Sequence, residues 1–247
     1  MNPYSAICDD FGVYAHLNTK IDLPLHSETI LHFFEALQKG FPQLTELQKK
    51  ETGEYVLEEE REAENFRWIA LESKRVSTCY MNPPLLEDAD NQHARVLENA
   101  PYHLDLSSLN LESLDLFYTF DFIYPGNHDQ VIAEALGQSS PFDGLLNLDG
   151  ARVVGYEPSI LLALDDKCRL QARIGVESRS SLAQIQSGQF TESPLSVNVL
   201  IRQFWGKQPF KSFVESYHNQ RRISQELIES FVIPQVVTPL AQRIAAR

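Results

Sequence analysis

The sequence predicts an α+β fold: two duplicated β-α-β-β-type halves with antiparallel sheets, the second ending in a long C-terminal helix. Three observations predict it. Several short runs alternate apolar and polar residues with the period of a strand, and others repeat apolar residues at three and four with the period of a helix. One order of elements also occurs twice along the chain.

Residues 13–21 open the series, with Val13, Ala15, Leu17 and Ile21 against His16, Asn18 and Lys20, a strand with one buried face. After Pro24, Ser27 is placed to cap a helix bearing Ile30, Leu31, Phe34 and Leu37, which Gly40 and Pro42 close. Residues 54–60 have only Tyr55, Val56 and Leu57 as an apolar centre and read as a strand entering a charged loop. Residues 66–71 and 75–81, parted by Glu72, Ser73 and Lys74, read as a hairpin carrying Trp68 and Tyr80. Pro83 and Pro84 end it. Residues 85–99 then show helical spacing at Leu86, Ala89, His93, Val96 and Leu97, with acidic residues in the first turn, where the helix dipole favours them.

The order then restarts. Leu116, Tyr118, Phe120, Phe122 and Tyr124 alternate with Phe117, Thr119, Asp121 and Ile123, and Pro125-Gly126 follows. Asn127 caps a helix containing Val131, Ile132 and Leu136, closed by Gly137. Strands near 152–156, 160–164, 170–177 and 197–204 complete the second half. A helix from about Phe210 to Val232 carries Phe213, Val214, Tyr217, Leu227, Ile228 and Phe231 on its inner stripe, and Pro234 stops it. The halves divide as residues 1–112 and 113–247, as two domains or as one continuous domain; 247 residues allow either.

Charge is unevenly shared. Residues 1–125 hold twenty-two acidic and nine basic side chains, whereas residues 126–247 hold twelve of each. Residues 51–64 alone contain seven glutamates against one arginine, a field that disfavours nucleic-acid phosphates and anionic lipid. From Arg202 onward seven basic residues face three acidic ones, and the dipolar arrangement of acidic first half and basic tail suits a self-complementary dimer or a basic protein partner, the alternative being a merely solvated acidic face. The first ten residues lack the basic and apolar regions of a secretion signal, and no apolar run reaches membrane-spanning length, so the expected location is the cytoplasm. Cys8, Cys79 and Cys168 are far apart and follow no ligand spacing, so they are expected to be reduced packing residues, with no metal and no cofactor.

Glycine-rich phosphate loops, a Walker lysine motif, HExxH, GxSxG and calcium-loop patterns do not occur, so no catalytic motif is found. The histidines form no convincing pair. His26 and His32 face different sides of a helix; His103 and Asp105 fall on one side of an extended segment, as surface residues before a catalytic or metal pair; and His128 sits at a helix terminus. Asp9-Asp10 do not present two carboxylates to one pocket, Asp165-Asp166-Lys167 reads as a hairpin turn, and Asp121 lies on the solvent face of its strand. The C-terminal helix is interrupted by Gln220, Arg221 and Ser224, with His218 beside them. Arg202, Trp205, Tyr217, His218 and Arg221 are therefore the candidate binding residues, the alternative being a helix end that projects past the core.

Three segments together resemble a sporadically distributed family of uncharacterised bacterial proteins of about 250 residues. They are the opening strand, proline and helix with Phe41-Pro42, the hairpin from Trp68 to Tyr80 leading into a helix, and the terminal helix with Tyr217-His218 and Phe231. The chain departs from that pattern after Tyr80, at Pro83-Pro84. The resemblance implies a fold and supplies no catalytic residue.

These features point to a non-enzymatic interaction or scaffold protein that binds another protein or itself. The alternatives are a small-molecule-binding protein or enzyme with a pocket between the halves, and an acidic inhibitor of a nucleic-acid enzyme resting on residues 51–64.

Overall fold

Alternation along β1 (Asp10–Thr19) sends Phe11, Val13, Ala15 and Leu17 to one face, where each is at most 1% exposed, and Gly12, Tyr14, His16 and Asn18 to the other. The structure, a computed structural model, describes residues 3–60, 64–107, 109–138, 140–146, 148–205 and 212–247. After β1 come α1 (Ser27–Gln38), β2 (Glu46–Lys49), β3 (Tyr55–Glu58), β4 (Phe66–Glu72), β5 (Arg75–Met81) and α2 (Leu86–His103). Then follow β6 (Leu111–Ile123), α3 (His128–Leu136), α4 (Asp143–Leu146), β7 (Ser159–Ala163), β8 (Leu170–Glu177), α5 (Leu182–Ser187) and β9 (Pro194–Phe204). Helix α6 (Phe213–Leu227), a π-helical stretch (Ile228–Val237) and α7 (Thr238–Ala245) close the chain.

The nine strands form one sheet in the order β2-β3-β4-β5-β1-β6-β9-β8-β7, with every neighbouring pair antiparallel. Its middle is the β1–β6 ladder, where Phe11 lies opposite Phe120, Val13 opposite Tyr118 and Leu17 opposite Leu114. These residues, with Leu195, Val197 and Val199 of β9, form the sheet side of the core. The helices supply the other side through Phe33, Phe34 and Leu37 of α1, Val96 and Leu97 of α2, Val131 and Ile132 of α3, and Tyr217 of α6. Each fully buried Leu, Ile or Phe contributes about 1.5–3 kcal/mol by leaving water, so this layer outweighs any single polar contact below. Among the described residues no helix is long and apolar enough to cross a membrane.

Several expectations are corrected. Helix α1 begins at Ser27, and His26 before it is the cap position, with no side-chain cap bond. The segment 152–156 forms no strand, because its amides are taken by α3: Val153 N donates to Gln130 Oε1 at 3.2 Å and Tyr156 N to Asp129 Oδ1 at 2.8 Å. Strand β2, Glu-Leu-Gln-Lys and wholly exposed, has no apolar alternation to reveal it. His103 is not in an extended segment; it ends α2 with its ring edge against Phe33, and Asp105 lies beyond it with φ +49°.

Pro234 does not stop the terminal helix. The amide of Thr238 donates to the carbonyl of Ile233, five residues back, and this wider turn separates the proline ring from the carbonyl that it would strike in an α-helix. The buried residues Ile228, Val232, Val237 and Leu240 step by four, five and three, so the five-residue step at the proline keeps the apolar stripe on the core. The expected start at Phe210 lies outside the described residues.

Candidate functional site

Helices α1, α2, α3, α6 and α7 place buried residues in the core against the face bearing Phe11, Val13 and Leu116; the opposite, open face bears Tyr14, Trp68, Phe117 and Leu200, each half-buried. Antiparallel register aligns its side chains into rows that cross the strands. The central row runs Glu46, Glu58, Trp68, Cys79, Tyr14, Phe117, Leu200, Arg173 and Leu161, from β2 at one edge to β7 at the other. Acidic groups lie at its first end, aromatic and aliphatic groups in the middle, and an arginine towards the second end.

Tyr14 organises the middle. Its ring is edge-on to Trp68 at 6.3 Å and to Phe117 at 5.5 Å, and its hydroxyl donates to Met81 Sδ at 3.2 Å. Gly12 is required beneath it, since a Cβ there would lie 2.7 Å from the Tyr14 ring, 2.8 Å from Met81 Sδ and 2.9 Å from Thr119 Cγ2. Burial raises the Tyr14 phenol and the Cys79 thiol, so both stay protonated at neutral pH and Cys79 is no nucleophile.

The neighbouring row places Ser77, His16, Asp115 and Arg202 side by side. The residue types suggest a nucleophile, a base and an orienting acid, but the bonds run elsewhere. Ser77 Oγ, from a residue 1% exposed, donates to Glu72 Oε1 at 2.7 Å and lies 3.1 Å from His16 Nδ1. Asp115 is engaged by Arg202, whose Nε is 2.7 Å from Oδ1, and accepts from Ser113 Oγ at 3.2 Å. Burial, then the Arg75 charge, pushes His16 down to about 4. This neutral row ties strands together and does not activate the serine.

A cavity of about 330 Å³ opens on the same face beside Phe117 and Leu200, lined also by Asn198, Arg173 and Arg179. Among the described residues no group of three or more His, Cys, Asp or Glu side chains is placed to hold a metal ion.

The five residues singled out in the sequence occupy three places. Tyr217 and Arg221 meet between α6 and α2: Tyr217 Oη donates to Asp90 Oδ1 at 2.6 Å and Arg221 Nε lies 3.0 Å from both Asp90 oxygens. His218 is exposed beside Tyr217, and Trp205 packs on Phe213 at 5.4 Å. Arg202 lies across the sheet, on the open face with Asp115. The polar gap in α6 is an anchor: Gln220 Nε2 donates to the carbonyls of Leu114 and Ile201 at 2.8 and 2.9 Å, and Ser224 Oγ donates back to Gln220 O. Asp90→Ala leaves Arg221 and Tyr217 without their shared acceptor in a site only partly wetted, and is expected to lower stability by about 2–3 kcal/mol. Urea unfolding of the variant checks this, with Asp90→Asn expected to lose less.

The open-face row was not singled out from the sequence. Its signal was aromatic residues on the polar phase of alternating strands, Tyr14 in β1 and Phe117 in β6. Asp121, on that phase, is half-buried and accepts from Thr119 Oγ1 at 2.7 Å. The expected turn at Asp165 is present, its Oδ1 accepting from the amides of Arg169 and Leu170. Compared with protein-family models and with curated proteins, the chain matches none.

Proposed function

We propose that the chain is a non-enzymatic protein-interaction module of the cytoplasm, built as two copies of one β-α-β-β-type plan, with the open sheet face as its contact surface. The duplicated plan is supported by connectivity. β1 and β6 each lead into a helix, then into an antiparallel run that returns to pair with them, then into a second helix. Both second helices also bury a glutamine on strand carbonyls, Gln92 on Cys79 O and Gln220 on Ile201 O.

The observation that carries the interaction reading is the central row, with half-buried Trp68, Tyr14, Phe117 and Leu200 on the face turned away from α1, α2, α3 and α6. Aromatic anchors within a polar rim are the side chains that dominate protein interfaces. The partner segment that fits has an apolar centre, a basic group towards the exposed Glu46, and acidic groups towards Arg173. Trp68→Ala with Leu200→Ser is expected to weaken a partner recovered with the wild-type chain at least about tenfold, the effect of an interface anchor. Unchanged binding by a variant of unchanged melting temperature overturns the reading.

A second reading, a small-molecule site, draws on the cavity beside Phe117, whose 330 Å³ falls at the lower end of ligand pockets. Native mass spectrometry showing a bound metabolite that Arg173→Ala releases would establish it. The acidic-inhibitor reading draws less support, since Glu58 and Glu59 are already paired with Lys50 and Arg67.

A further inference from the structure

The two edges of the sheet are unlike. β2 ends one edge with Glu46, Gln48 and Lys49, charged and polar groups of the kind that keep strands from pairing between molecules. β7 ends the other with Ser-Ile-Leu-Leu-Ala, in which Ile160 is 52%, Leu161 63% and Leu162 37% exposed. No charged residue lies between Glu157 and Asp165. Residues 152–156, just before this strand, are held by α3 and add no strand to the sheet.

We propose that β7 pairs antiparallel with β7 of a second copy, about a twofold axis through Leu161, joining the two sheets into one. The backbone sets the register. Leu164 donates its amide to Leu170 O and Pro158 accepts from Val176 N, so even-numbered residues of this strand face β8. Ser159, Leu161 and Ala163 therefore direct their amides and carbonyls outward. A twofold through Leu161 pairs all five residues of the strand: Leu161 with itself, Ser159 with Ala163, and Ile160 with Leu162. Each outward group then meets a partner, and the apolar side chains cover one another on both faces of the junction.

Charge does not oppose a second copy here. The strand order puts the acidic first half at the far side of each sheet, and with strands about 4.8 Å apart β1 lies about 20 Å from the junction. That is more than two Debye lengths at physiological salt, so the two acidic halves scarcely repel. β7 to β2 pairing would instead leave a free edge at each end and grow without closing. A five-residue junction is small, and a dimer of about micromolar affinity is expected.

This inference stands apart from the open-face reading, because it is read in mass and not in partner binding. The first test is sedimentation equilibrium of the full chain from 1 to about 200 µM beside Leu161→Pro. The amide that this proline removes points to solvent in the monomer, so the β7–β8 ladder survives while the intermolecular pair does not. Wild type is expected to pass from one to two copies and Leu161→Pro to remain single at an unchanged circular dichroism spectrum. Leu161→Cys in a Cys168→Ser background, which removes the exposed native thiol, is expected to oxidise to a disulfide dimer, since directly opposed Cα atoms lie about 5.5 Å apart. A wild-type chain single throughout, a dimer unmoved by Leu161→Pro, or mass rising beyond two copies overturns the proposal.

Discussion

Phe120→Ala is expected to lower the unfolding free energy by about 3–5 kcal/mol, the cost of removing a large buried ring whose surroundings relax only in part. Phe120 is 0% exposed, lies directly opposite Phe11 across β1 and β6, and touches both that ring at 5.1 Å and Tyr4 at 5.2 Å. The vacancy falls on the ladder that joins the first half to the second. Because the strands of both halves share this seam, wild type and variant are expected to unfold in one transition, measured by urea with circular dichroism and tryptophan emission followed together. Two separated transitions would show residues 1–112 and 113–247 to be independent folding units.

Acidification from pH 7 to pH 4 is expected to cost about 3 kcal/mol for each of two buried imidazoles. Burial, then the Arg75 charge, holds His16 down at about 4; burial, then the nearby His16, holds His93 down at about 3. Both folded values lie below the unfolded value near 6.5. Between 6.5 and 4 the unfolded chain therefore takes up protons that the folded chain refuses, so stability is full above 6.5 and falls as pH drops through that window. His93 sits between Thr78 and Tyr217, with its Nδ1 3.3 Å from Thr78 Oγ1. His16→Gln and His93→Gln are each expected to flatten the urea midpoint against pH. Carboxylates also titrate below pH 5, so the difference between wild type and variant isolates each histidine. An identical slope in all three proteins would remove the claim.

Much of the fold was legible because burial on one face writes a period into a strand. The hairpin of β4 and β5, strand β8 and the Asn127 cap of α3, whose side chain accepts from Gln130 N, lie where alternation and capping put them. Strand β2 was not legible, since both its faces are exposed and exposure leaves no pattern. Pro234 misled because a local rule about α-helices does not count the packing of Ile228, Val232, Val237 and Leu240, which holds the chain helical through a wider turn. Residues 152–156 misled in the reverse sense. Their alternation is real, but Gln130 and Asp129 offer their amides acceptors that a neighbouring strand would otherwise supply.

By itself the sequence determined the α+β class, the strand, proline and helix order at residues 13–39 and 116–136 with the Asn127 cap of the second, and the confinement of net negative charge to residues 1–125. Each is a local property: a period of two or 3.6, a cap, a count of charges. The tertiary structure alone decided that Arg202 stands on the opposite face from Tyr217 and Arg221, that Trp68, Tyr14 and Phe117 form one row, and that β7 is left at an edge. Those outcomes depend on strand order and register, where a shift of one residue exchanges the faces, and both are set by long-range pairing that no stretch of sequence carries within itself.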